Sequence, residues 1–108
     1  MSGGGSGGGG GGGIPDPPSD CARFTKEVVL SSPNPAVLPA LTVGEILVLQ
    51  FEPTSNQRVI QAVTDAGIVA GSVTGEAGLR TCMIEGHDYV AEVLGVQGGS
   101  CRVRIRVA

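Results

Sequence analysis

The segment Ser100–Val107 alternates without a break: Cys101, Val103, Ile105 and Val107 take one parity, and Arg102, Arg104 and Arg106 take the other. A β-strand sends successive side chains to opposite faces, so this pattern predicts a strand with one apolar face and one guanidinium face. Strand geometry spaces the three guanidinium groups about 7 Å apart. The natural partner is the apolar segment Tyr89–Val96, which precedes it across Gln97-Gly98-Gly99. A two-residue Gly98-Gly99 turn would set Glu92 opposite Ile105 and place a carboxylate on the apolar face. A three-residue loop, Gln97 to Gly99, moves the pairing by one. Glu92 then faces Arg104 outside, while Tyr89, Ala91 and Val93 join the apolar set inside. Because a one-residue slip reverses every side chain, the second register is the one predicted. The opposed charges add about 0.2–1 kcal/mol.

The rest of the chain reads the same way. In Arg23–Leu30, Phe24, Val28 and Leu30 share one parity against Arg23, Thr25 and Glu27, predicting a half-buried strand. Pro33, Pro35 and Pro39 break it and leave a loop with room for one helical turn over Pro35–Leu38. Glu45–Glu52 is apolar on both parities in its first half, as expected of a strand covered on both faces. Pro53-Thr54-Ser55-Asn56 ends it. Arg58–Thr64 and Ile68–Val73 flank Asp65-Ala66-Gly67, a three-residue hairpin loop whose final glycine suits the left-handed region. Glu76–Glu85 is the only good helix candidate, with Leu79, Cys82 and Met83 on one face, Thr74 near the N-cap and Gly86 at C′. The fold class that follows is all-β with one short helix: a small β-barrel or curled antiparallel sheet of about six strands.

Ten of the first thirteen residues are glycine, so residues 1–20 are expected to form a disordered Gly/Pro-rich tail and residues 21–108 a single small domain. Apolar residues make up 41% of the chain and aromatics only 3%, which predicts a core of Val, Leu, Ile and Ala. A net charge of −3 argues against a surface devoted to phosphate contacts, which needs a basic surplus. Apolar runs of about four residues fall far short of the roughly twenty that cross a bilayer. With no positive, then apolar, start, the expected setting is cytoplasmic and away from membranes. Cys21, Cys82 and Cys101 are odd in number and irregularly spaced. They read as buried free thiols, with His87 the only possible fourth ligand of a Cys3His zinc site. No metal or cofactor is expected.

Catalytic signatures are missing. There is one histidine, and no phosphate loop carrying Lys and Ser/Thr. Gly71-Ser72-Val73-Thr74-Gly75 does not meet the G-x-S-x-G spacing, and a nucleophilic Ser72 would have to rely on His87 alone. His87, between Gly86 and Asp88, reads as a solvated turn residue. The binding candidates are Arg102, Arg104 and Arg106, with Val90, Leu94 and Val96 beside them in the predicted register. Three uses of that face compete: a solvated face whose arginine stems cover aliphatic neighbours, a contact with another protein or a second copy, and a nucleic-acid surface. The lack of aromatics for base stacking disfavours the last.

From Gly44 to Val96 the order of elements resembles the HIRAN domain, a small β-barrel associated with DNA-processing proteins. The resemblance is carried by the apolar strand ending in Glu52-Pro53, Asn56, the strand to Val63, Gly67-Ile68-Val69-Ala70-Gly71, the helix with Leu79, and Glu85-Gly86. It covers about half the chain. Asn56 stands one position late for that pattern, Gln57–Gln61 has no Asp or Asn, and Ser72 replaces an aromatic common in the family. The resemblance implies a barrel topology and a nucleic-acid partner. The residues taken alone imply a non-enzymatic binding module, most simply a protein-interaction or structural domain.

Overall fold

The computed structural model describes residues 17–54 and 56–108; residues 1–16, most of the expected tail, and Ser55 lie outside them. In chain order the elements are α1 (Pro17–Arg23), β1 (Thr25–Val29), a 3-10 turn (Leu38–Ala40), β2 (Ile46–Phe51), β3 (Ile60–Val63), β4 (Val69–Val73), α2 (Ala77–Ile84), β5 (Tyr89–Gln97) and β6 (Ser100–Val107). The strands form one antiparallel sheet in the order β1-β6-β5-β2-β3-β4, curled into a half-barrel, so the fold class read from the sequence holds. Helix α1 is a second helix beyond the one expected from the sequence, and it begins inside the segment assigned to the tail.

The β5–β6 hairpin satisfies both registers that its sequence offers. Gln97 pairs with Ser100, Val96 with Cys101 and Gly95 with Arg102, which is the two-residue Gly98-Gly99 turn and not the expected three-residue loop. Beyond Leu94 the pairing shifts by one, so Val93 meets Val103, Glu92 meets Arg104 and Ala91 meets Ile105. Leu94 is the extra residue of a β-bulge, and the bulge restores the register that the apolar face demands. Val96, expected beside the arginines, turns inward as a result and packs against the core. The β3–β4 loop is as expected: Gly67 has φ +81°, its N–H donates to the Thr64 carbonyl at 2.9 Å, and Thr64 N–H reaches the Ile68 carbonyl at 2.9 Å.

Strand β2 departs from its reading. Leu47 and Leu49 are buried, whereas Ile46 and Val48 are exposed, because no second layer among the described residues covers the outer face. On the inner face a single cluster joins side chains of all six strands, the 3-10 turn and both helices, with Tyr89 its largest fully buried side chain. Helix α2 contributes Leu79 and Cys82. Its N-cap residue is Glu76, without a side-chain cap; Thr74 instead has its hydroxyl 2.8 Å from that of Ser31.

The half-barrel closes at one corner. Ser31 and Ser72 exchange backbone hydrogen bonds at 2.7 and 2.8 Å, and Asn34 N–H reaches the Ala70 carbonyl at 2.8 Å. The segment after β1 is thereby tied to β4 at the opposite edge. Gly71 permits this approach: a Cβ there would lie 3.0 Å from Leu30 Cβ and 3.1 Å from the Ser31 carbonyl oxygen. Farther along the same gap, Lys26 on β1 meets Glu76 at 2.9 Å. Lys26 sits opposite buried Ile105, at a core-side position of the edge strand.

The cysteine expectation fails for two of three residues. Cys21 and Cys82 form a disulfide, with Cα atoms 5.6 Å apart, while Cys101 is free and buried. The bridge ties α1 to α2 across 61 residues of sequence, and closing a loop of that length removes about 4 kcal/mol of chain entropy from the unfolded state. The Tyr89 hydroxyl donates to the Cys21 carbonyl at 2.5 Å, and the Tyr89 ring meets Phe24 edge-on at 5.8 Å. Helix α1 is thus held to the core by a covalent bond, a buried hydrogen bond and an aromatic pair.

Gly71→Ala should lower stability by roughly 1–3 kcal/mol in denaturant unfolding, since backbone at Ser31 must move to admit the methyl. Gly95→Ala, with open space around its Cβ, should stay within about 0.5 kcal/mol of the wild type. Equal effects of the two changes would disprove the close-approach account. A second expectation concerns alkaline pH. Burial pushes the Cys101 thiol above its ordinary 9.0, and burial, then the Glu85 carboxylate, push the Tyr89 phenol above 10.0. The unfolded chain therefore loses these protons first, and stability falls as pH rises. Chemical denaturation followed against pH should show the decline starting near 9, and Cys101→Ala should delay its onset toward 10.

Candidate functional site

The convex face of the sheet carries the binding residues read from the sequence, and β-pairing arranges them in rows. One row runs Thr25, Arg106, Val90, Val48, Val63, Val69 across all six strands. The next runs Glu27, Arg104, Glu92, Ile46, and a third places Val29, Arg102 and Gly95 side by side, next to the bulged Leu94. Opposed residues in an antiparallel sheet share a face, so each row is a continuous strip of contacts. The first two rows begin polar at the β1 edge and become aliphatic toward β2.

The arginines differ in their company. Arg104 Nη2 lies 3.3 Å from Glu27 Oε2, and Arg106 Nε lies 3.8 Å from Glu92 Oε1. Glu92 is therefore opposite Arg104 in register, as expected, but its carboxylate goes diagonally to Arg106. No carboxylate among the described residues pairs with Arg102. Arg102 and Leu94 instead line a shallow groove of 430 Å³ with Val29 and Val43. The five predicted residues thus divide into a groove pair (Arg102 and Leu94), an ion-paired set (Arg104 and Arg106) and a member of the aliphatic row (Val90).

Several residues of this face escaped the sequence reading. Val48 and Val29 are each 50% exposed, and Val43 is 72% exposed. The signal for Val48 was present but ambiguous, because apolar residues on both parities describe a twice-covered strand equally well. Val43 stands in the turn before β2, where no periodicity applies. Val63 sits opposite Val48 and is buried without belonging to the inner cluster, so the aliphatic row has weight at its β3 end.

Ser72 and His87 stand on separate elements, β4 and the turn after α2. Ser72 is engaged through its backbone with Ser31. His87 follows α2 and gathers with Glu85 and Cys21, their nearest ligating atoms all within 4.8 Å. It is half-buried, more sheltered than a freely solvated turn residue.

The Glu27–Arg104 pair is exposed on both sides, so a double-mutant cycle with Glu27→Ala and Arg104→Ala should give a coupling under about 1 kcal/mol. That coupling should shrink further in salt. A salt-insensitive coupling above that range would mark the pair as a structural element and not a screened surface contact. No protein-family model, no curated protein and no solved structure matches this chain.

Proposed function

We propose that this chain is a non-enzymatic binding module that holds a protein partner, or a second copy of itself, on the convex face of its half-barrel. The observation carrying this reading is the aliphatic strip of exposed Ile46 and Val48 with half-buried Val90, bordered by arginines whose charges are mostly matched. Apolar side chains on a sheet face gain free energy when another apolar surface removes them from water, about 25 cal/mol for each Å² buried. Arginine at the border adds hydrogen-bonding reach, the composition common at protein interfaces. The same pairing weighs against nucleic acid. Glu27 and Glu92 lie beside Arg104 and Arg106 and offset the positive charge of that face, and Arg102 is the one arginine of the strand with no carboxylate beside it among the described residues. Binding rather than catalysis follows from the single His87 and the missing nucleophile and phosphate-loop patterns.

The test compares wild type with Val48→Asp, which places a charge at the centre of the strip without touching the core. Sedimentation velocity over a concentration series, and crosslinking to co-purifying proteins, should show association at moderate salt that Val48→Asp abolishes at unchanged thermal stability. In parallel, amide NMR titration with short single-stranded DNA and RNA should leave residues 89–106 unshifted. Association indifferent to Val48→Asp would remove the convex face from the proposal. Salt-sensitive shifts on residues 89–106 would transfer it to nucleic acid, in line with the HIRAN resemblance.

A further inference from the structure

Three side chains with metal-ligating chemistry, Cys21, Glu85 and His87, converge where α1 meets the end of α2, and Cys82 joins them through its disulfide to Cys21. Cys82 lies in the last turn of α2, Glu85 is the C-cap residue three positions on, and Gly86 has φ +104°. Gly86 N–H donates to the Met83 carbonyl at 3.1 Å and His87 N–H to the Cys82 carbonyl at 3.1 Å. This pair of bonds is a Schellman motif, and it turns the chain back so that His87 returns to the end of the helix instead of leaving it. Cys21 arrives from α1, held by the Tyr89 hydroxyl on its carbonyl. Glu85 Oε1 lies 4.0 Å from Cys21 Sγ, and the ligating atoms of Cys21, Glu85 and His87 all fall within 4.8 Å of one another.

We propose that, once the Cys21–Cys82 disulfide is reduced, Cys21, Cys82, Glu85 and His87 bind one zinc ion. Two sulfurs, one imidazole nitrogen and one carboxylate oxygen form a donor set that suits tetrahedral zinc. With zinc–sulfur bonds of about 2.3 Å and zinc–nitrogen and zinc–oxygen bonds of about 2.0 Å, neighbouring donors in a tetrahedron stand about 3.3–3.8 Å apart. Cys21, Glu85 and His87 already stand close to that spacing, and reduction frees Cys82 beside Cys21 to supply the fourth donor. Cys21 and Cys82 are buried, while Glu85 is exposed and His87 half-buried, so the ion enters from the Glu85 side. Cys101, which the sequence offered as a third sulfur ligand, is committed to the sheet core opposite Val96 and takes no part.

The disulfide and the zinc site exclude each other, since both use the same two sulfurs. An external dithiol transfers two electrons and two protons to the disulfide, giving two thiols and leaving the dithiol as its own disulfide. Zinc then displaces the two thiol protons, which pass to solvent. In a reducing compartment, where disulfides do not persist, the ion takes over the task of tying α1 to α2.

The test uses the full chain, reduced and freed of reductant, titrated with zinc and with cobalt(II) as a spectroscopic probe. The reduced chain should bind one equivalent of either ion, show sulfur-to-cobalt charge-transfer absorption, and protect two of its three thiols from alkylation. The oxidised chain should show none of this. His87→Ala and Glu85→Ala should each weaken binding at least ~10-fold, and Cys101→Ala should leave it unchanged. Absence of the charge-transfer band, equal binding by the oxidised chain, or indifference to both His87→Ala and Glu85→Ala would overturn the proposal. If reduction collapses the dispersed amide spectrum, zinc must restore it, and failure to do so is equally fatal.

Discussion

The β5–β6 hairpin has to satisfy two conditions that no single register meets. Its turn closes over Gly98-Gly99, and its apolar face must bury Tyr89, Ala91 and Val93 with Val103 and Ile105. Leu94 reconciles them by standing outside the ladder, and much else depends on that displacement. Tyr89 reaches Cys21 because it faces inward. Glu92 reaches the arginine row because it faces outward. Had the register run unbroken from the turn, a carboxylate would lie in the core and every side chain of β5 before the bulge would change sides. One extra residue decides which side chains of β5 before the bulge enter the apolar core and which face outward.

Zinc and the convex face make separate demands on the fold. The convex rows depend on pairing among strands, whereas the Cys21–Glu85–His87 group depends on how α1 docks and α2 ends. The two share Tyr89, whose strand belongs to the sheet and whose hydroxyl holds the carbonyl of Cys21. Local opening of α1 would therefore disturb the four donors and leave the aliphatic strip nearly untouched.

Most of the architecture was legible in period-two patterning. Strict alternation in β6, the Gly67 loop, and α2 with Gly86 behind it are short-range features, and each formed where its residues said it should. Long-range geometry was not legible. Nothing local to Cys21 or Cys82 marks them as partners, since their meeting depends on α1 folding back over β6 and α2. The bulge was hidden for another reason: both registers were visible, and choosing one concealed that the strand could hold each in turn. Of the convex face, the three arginines, Val90 and Leu94 were legible as outward-facing, because charge on one parity is conspicuous. Ile46 and Val48 were missed, because an apolar residue facing solvent has the same letter as one facing the core.

Lys26 gives the closed corner a further meaning. An open sheet offers unpaired backbone at both edges, and β1 and β4 are such edges, tied to each other at Ser31 and Ser72. Below that tie, Lys26 occupies a core-side position on β1 and projects its ammonium to Glu76 at the start of α2. A foreign strand adding itself to β1 would extend the sheet across this charge and strand it against apolar neighbours. An inward-pointing charge on an edge strand is one of the devices that disfavour edge-to-edge pairing, and Lys26 stands at such a position on β1.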